Sequence, residues 1–241
     1  MKTAVCCIIS ALVLGAGVAV GGWFIGNGFY AARYGNRFVS VKGLAERQVK
    51  ADLAIWPVRF VASGNQLDQV QAAIRKEAAT VTAFLESQGI AAADIRLESL
   101  EVTDRDAQLY GSSNKGDRFI ITQTLMVRSH AVDKVAAAGQ HVGKLVDAGV
   151  ILDSNRFSGP SYSYTKLNDI KPAMIASATK AARKAAEQFA KDSGSSLGGI
   201  RRADQGVFQI LARDNAPGVN ANQQVAKTVR VVSHVQYYLQ H

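Results

Sequence analysis

The spacing of apolar positions changes several times from Phe38 onward, and each change marks a separate element. Phe38–Val41 and Val49–Ala62 read as extended; in the second run Ala54, Trp56, Val58, Phe60 and Ala62 alternate onto one face. Pro57 lacks a ladder donor, which predicts an edge or a bulge there. Asn65–Gln88 shifts to helical spacing, with Leu67, Val70, Ile74, Val81 and Leu85 on one stripe and Gly89 as its stop. Strands follow at Asp94–Thr103 and Arg118–Arg128, separated by a polar turn. A helix through Val132, Val135, Gly139, Val142 and Val146 comes next, then a strand over Val150–Tyr164 that Gly159 and Pro160 interrupt. The longest helix covers Asn168–Ser193 with Ile170, Met174, Ala178, Ala181, Ala185 and Phe189 inward, and strands close the chain at Ile200–Ala212 and Val225–Leu239.

An internal repeat ties these elements together. Phe84, Gly89, Ile95 and Arg96 have the spacing of Phe189, Gly194, Ile200 and Arg201: a last-turn aromatic, a helix stop, and the start of the next strand. The layout predicts an α+β protein with two βαββ units, residues 49–130 and 150–241, bridged by a helix at 131–149. Residues 33–48 form a linker with the first strand, and residues 1–32 stand apart from all of this.

Between Lys2 and Arg33 no side chain is charged, a stretch longer than the ~20 residues a helix needs to span a bilayer. Trp23, Phe24, Phe29, Tyr30 and Tyr34 with Arg33 form the aromatic and basic flank found where a helix leaves hydrocarbon. The length favours a retained transmembrane anchor over a cleaved export signal, whose apolar core is ~7–15 residues. Ala11, Gly15 and Ala19, Gly17 and Gly21, and Gly22 and Gly26 repeat at four-residue spacing, a small-residue strip that lets helices approach in lipid. Cys6 and Cys7, the chain's two cysteines, are adjacent in this apolar run, which excludes a disulfide framework and a Cys-rich metal site.

The 241 residues carry 28 Lys+Arg against 19 Asp+Glu, a net charge of +9. Dropping Lys2 leaves 27 against 19, so +8 belongs to the body, with part of it in the stretch Arg33–Lys50. A basic stretch beside an anchor fits a lipid bilayer as partner; no aromatic-basic module points to nucleic acid. The four histidines, His130, His141, His234 and His241, lack metal-helix spacing, and no Gly-x-Ser-x-Gly elbow is present. Gly194–Arg202 mimics a phosphate loop but follows a helix and precedes a strand, the reverse of the order that supplies a helix dipole. Asp104, Arg105, Asp106, Asp117 and Arg118 read as solvated loop charges, and Lys171, Lys180, Arg183, Lys184 and Lys191 as a solvated helix face. No catalytic, cofactor or metal residue is assigned; the expectation is a protein that is not an enzyme, with its small-molecule ligand, if it has one, unknown.

The run Phe38-Val-Ser-Val-Lys-Gly-Leu-Ala-Glu-Arg-Gln-Val-Lys-Ala-Asp-Leu-Ala-Ile55 resembles the opening of the SIMPL-domain family of bacterial envelope proteins, the periplasmic immunogen type. That family opens with a short strand, a Gly-x-Gly-like turn and a Pro-Asp-hydrophobic-Ala step into a long strand. Gly43 matches, Ala45 replaces the second glycine, and Ala51 replaces the proline before Asp52. The helix end Lys191-Asp-Ser-Gly-Ser-Ser-Leu-Gly-Gly199 is similar to the family's Ala-x-x-x-Gly-x-x-Leu-Gly step into a strand. The resemblance covers roughly residues 38–240 and rests on turn and packing signals. It implies a periplasmic body, self-assembly into a large ring- or cage-like homo-oligomer, and a structural or envelope-stress role. The alternative is a soluble periplasmic binding or scavenging module released by signal cleavage.

Overall fold

A computed structural model describes residues 14–28, 37–107, 116–153, 159–214 and 220–240. Residues 14–28 form helix α1. The body follows as β1 (Phe38–Lys50), β2 (Leu53–Gly64), α2 (Leu67–Ser87), β3 (Ile95–Asp104), β4 (Phe119–Ser129), α3 (Val132–Gln140), α4 (Gly143–Asp147), β5 (Ser161–Ser163), α5 (Leu167–Asp192), β6 (Ser196–Gln205), β7 (Gln209–Ala212) and β8 (Ala226–Gln240). The class is α+β with antiparallel pairing, as the sequence predicts.

The chain divides into two compact units. One comprises Glu46–Pro172 and Gln209–Arg230. Its sheet has the order β3-β4-β2-β5. Strand β2 forms because its alternation gives it one wholly apolar face: Ala54, Trp56, Val58, Phe60 and Ala62 are all buried. That face packs with Ile121, Leu125 and Val127 of β4 against Val70, Ile74, Val81, Phe84 and Leu85 of α2. Leu67, expected on the α2 stripe, lies in the first turn and is exposed. The helix expected at 131–149 is two short helices, α3 and α4, whose buried positions are Val132, Val135, Ala138 and Leu145, with Val146 exposed.

The other unit gathers β1 as far as Ala45, α5 from Ala173, β6, and β8 from Val231. Strand β8 is flanked by β1 and β6. The strand expected over Val150–Tyr164 is three residues long and pairs with β2 at Leu53–Ile55, so the place beside β8 is taken by β1. Gly159 and Pro160 limit that run, whereas β1 runs uninterrupted for 13 residues.

Two departures in this unit share a cause. Gly43 is not in a turn: it lies within β1, where an added Cβ would overlap the Ala178 carbonyl oxygen and sit 2.6 Å from the Ala182 nitrogen. Those two atoms are the i and i+4 ends of one turn of α5. The buried stripe of α5 therefore runs from Met174 through the alanines Ala178, Ala182, Ala186 and Ala190, four apart; of the other expected inward positions Ala185 is half-buried against this core, while Ala181 and Phe189 are exposed. Phe189 is 59% exposed.

The repeat is exact at its glycines. Gly89 (φ 81°) and Gly194 (φ 67°) end α2 and α5 in the left-handed region. Each helix closes with the same pair of bonds, Gly89 N–H to Glu86 and Ile90 N–H to Leu85, and Gly194 N–H to Lys191 and Ser195 N–H to Ala190. At the aromatic position it fails, since Phe84 is buried and Phe189 is not.

Candidate functional site

A concavity opens on the face of β2 turned away from α2. Ile55, Pro57 and Met126 give it an apolar floor; Arg59, Glu98, Ser99, Thr124, Ser161, Asn220, Asn222 and Gln223 supply polar groups, around a volume of about 680 Å³. That volume is in the range of small-molecule pockets. Pro57 explains why the cleft exists. The odd-numbered residues of β2 turn their backbone groups away from β4: Ile55 O accepts from Ser161 Oγ, Arg59 O from Asp153 N, and Val61 N donates to Ile151 O. Pro57 shares that orientation and has no N–H to offer, so the neighbouring chain bonds on either side of it. The sequence expectation of an edge-like proline is met locally, although β2 lies inside the sheet.

Arg59 at the rim is bound on two sides, Nε to Asp153 at 2.9 Å and Nη2 to Glu101 at 3.0 Å. The hydrogen bonds that Arg59 donates to Glu101 raise its pKa above the usual arginine value, burial opposes this, and Asp153 adds to the rise. Thr124 is buried and lines the cleft opposite Ser99 in the β3–β4 register. Lys227 is also buried; its Nζ donates to Ala221 O at 2.6 Å, tethering the short helical turn that carries Asn222 and Gln223. Desolvation pushes the Lys227 pKa down.

A second polar constellation surrounds the β1–β2 connection. The Asp52 carboxylate accepts from Thr165 N at 2.7 Å and Thr165 Oγ1 at 2.8 Å, and His130 Nδ1 meets Asp52 O at 2.6 Å. Burial pushes the Asp52 pKa up, but the Thr165 bonds outweigh it and the net value lies below the ordinary carboxylate range. This is the structural use of the Ala51-Asp52 step: it fastens the β1–β2 connection to the segment leading into α5.

The remaining candidates are structural in their contacts. His141 meets Gln88 at 2.9 Å and His234 meets Ser40 at 2.6 Å. Arg118 pairs with Asp104 at 2.9 Å and with Asp106 at 3.2 Å, an exposed network. The Gly194–Arg202 run is the α5 stop followed by β6. Among the described residues no group of three or more His, Cys, Asp or Glu side chains could hold a metal ion.

Of the membrane-segment residues, Ala11, Phe29, Tyr30, Arg33 and Tyr34 lie outside the described residues. Gly15, Gly17, Ala19, Gly21, Gly22 and Gly26 lie on α1, and all five glycines have open space where a Cβ would stand. Trp23 and Phe24 are exposed and meet edge to face at 5.3 Å. Among the described residues no helix is long and apolar enough to cross a membrane. The sequence offered one signal for the cleft, Pro57; its polar groups come from five separated segments and have no local pattern.

Two antiparallel sheets, with helices α2 and α5 ending at the matching stops Gly89 and Gly194, define an α+β domain with an internal repeat. A family model matches residues 39–237, described as SIMPL, protein of unknown function (DUF541), and the chain belongs to that family. No curated protein matches it.

Proposed function

We propose that this SIMPL protein is a non-enzymatic component of the bacterial envelope, anchored in the inner membrane by its N-terminal segment, whose periplasmic body self-assembles into a homo-oligomer of ring or cage type. The observation that carries the reading is the apolar strand at the end of the β3-β4-β2-β5 sheet: Leu97, Leu100 and Val102 of β3 are exposed. Edge strands of monomeric proteins are protected against such display. The uncharged run Thr3–Ala32 and the exposed apolar side chains of α1 support the anchor. Ring closure requires each protomer to use more than one surface. The mass of the detergent-extracted full chain tests this; a monomer at micromolar concentration refutes it. Replacing Gly17 and Gly21 by leucine separates the two associations, since assembly unchanged by the pair assigns it to the body.

The cleft over Pro57 favours a second reading, a soluble binding module released by signal cleavage. N-terminal sequencing of the mature protein separates the two: a start near residue 30 selects the soluble module, and a start at the initiator end selects the anchor.

A further inference from the structure

Strand β3 carries a pattern complementary to itself. Its ladder with β4 shifts register between Leu97 and Ser99, leaving Glu98 as an extra residue. Without that bulge Leu97 and Leu100 would fall on opposite faces. With it, Ile95 and Leu97 lie opposite Val127 and Leu125, while Leu100 and Val102 lie opposite Gln123 and Ile121. All four apolar side chains thus occupy the face that α2 covers over β2 and β4. Arg96, Ser99, Glu101 and Thr103 occupy the other face, opposite Met126, Thr124, Thr122 and Ile120.

Helix α2 does not extend its cover to β3: Leu97, Leu100 and Val102 are 60%, 51% and 55% exposed. Among the described residues β3 pairs with β4 alone, so its outer backbone edge is open.

We propose that this edge binds the β3 edge of a second copy of the chain, antiparallel and about a two-fold axis passing between Glu98 and Ser99. In that register Leu97 faces Leu100 of the other copy and Ile95 faces its Val102, twice each by symmetry. On the opposite face Arg96 meets the other copy's Glu101. The same operation therefore matches apolar with apolar and positive with negative, as an isologous contact requires. A shift by one residue in either direction loses both matches. The two four-stranded sheets become one of eight strands, and the apolar strip is buried between the two copies of α2. Glu101 also accepts from Arg59, so it reaches the interface already oriented by that arginine. The inference rests on the self-assembly reading and specifies one of its contacts.

The test uses the full chain in detergent with Cys6 and Cys7 replaced by serine, which removes both native thiols. Differently tagged Leu97→Cys and Leu100→Cys chains are co-expressed and mildly oxidised. The expected result is a disulfide-linked dimer carrying both tags, with no linkage when either variant is expressed alone, because like positions are three residues out of register. Light scattering on the same samples separates the failures. Assembled protein without the mixed crosslink overturns this register and leaves self-assembly standing; monomeric protein overturns both. Linkage by either single variant alone also overturns the register. Arg96→Glu, which sets like charges opposite one another, should weaken dimerisation about tenfold without changing the far-ultraviolet circular dichroism; an unchanged dissociation constant contradicts the proposed pairing.

Discussion

Replacing Gly43 by alanine places a methyl group where β1 meets α5. The added Cβ would overlap the Ala178 carbonyl oxygen, lie 2.6 Å from the Ala182 nitrogen and 2.8 Å from the Ala182 Cβ. Two of those three atoms are backbone, held by the hydrogen bonds of a 26-residue helix, so no side-chain rotation relieves the overlap. Strand and helix must separate, which loosens the contacts of Val41, Ala182, Ala186, Val235 and Tyr237 that form this unit's small core. Overpacking of this kind costs about 1–3 kcal/mol, and the rigid neighbours place Gly43 at the upper end. Replacing a strand glycine by alanine returns about 0.5–1 kcal/mol. The net loss is then about 2 kcal/mol, or roughly 10 °C in Tm for a unit of this size. Gly199 in β6 of the same unit is the matched control, because a Cβ there meets nothing within 4 Å. Urea titration of the full-length protein, followed by circular dichroism, should show Gly43→Ala destabilised and Gly199→Ala as stable as the parent or more stable by up to about 1 kcal/mol. Equal midpoints for the two variants would refute the close approach of β1 and α5.

Three further outcomes follow from the polar and backbone geometry. Asp52 has its pKa lowered in the fold, so its stabilising contribution is present above the ordinary carboxylate pKa and is lost as pH falls through the depressed one. Thr165→Val removes the Oγ1 bond and should shift the acid limb of the stability profile upward in pH; an unmoved acid limb excludes this carboxylate as a source. Lys227 shows the opposite sign: with its pKa lowered by burial, the folded state gives up the proton first, and stability rises as pH climbs from the depressed value towards the unfolded one. Lys227→Met should remove that rise and stay within about 1 kcal/mol of the parent at pH 7, which denaturation at pH 7 and pH 10 checks. Gly89→Ala and Gly194→Ala each force a side chain into the left-handed region and should cost about 1–2 kcal/mol apiece by urea midpoint; a neutral result at either site removes that helix stop from the repeat.

Local signals carried most of the element map and little of its assembly. The β2 alternation, the α2 and α5 glycine stops and the polar turn between β3 and β4 were readable because each depends on residues close in sequence. Strand partners were not. A β pattern at Val150–Tyr164 states that a segment can extend, and says nothing of which strand it meets; β1, read as linker and first strand, pairs with β8 because it offers a longer unbroken ladder. Burial on α5 was misplaced for a related reason. Hydrophobicity put Phe189 inward, but the approach of Gly43 admits only alanine-sized groups, and that constraint lies about 140 residues away in the chain. The cleft was illegible except at Pro57, since its walls come from segments that only strand pairing brings together. The β-bulge at Glu98 shows the same limit at a finer scale. Read as strict alternation, Ile95-Arg-Leu-Glu-Ser-Leu-Glu-Val102 scatters its apolar residues over two faces and looks like a poor strand. One extra residue in the ladder gathers them onto a single face. That gathering sets Ile95 against the core and leaves Leu97, Leu100 and Val102 beyond the reach of α2 and exposed, the surface on which the proposed strand pairing rests.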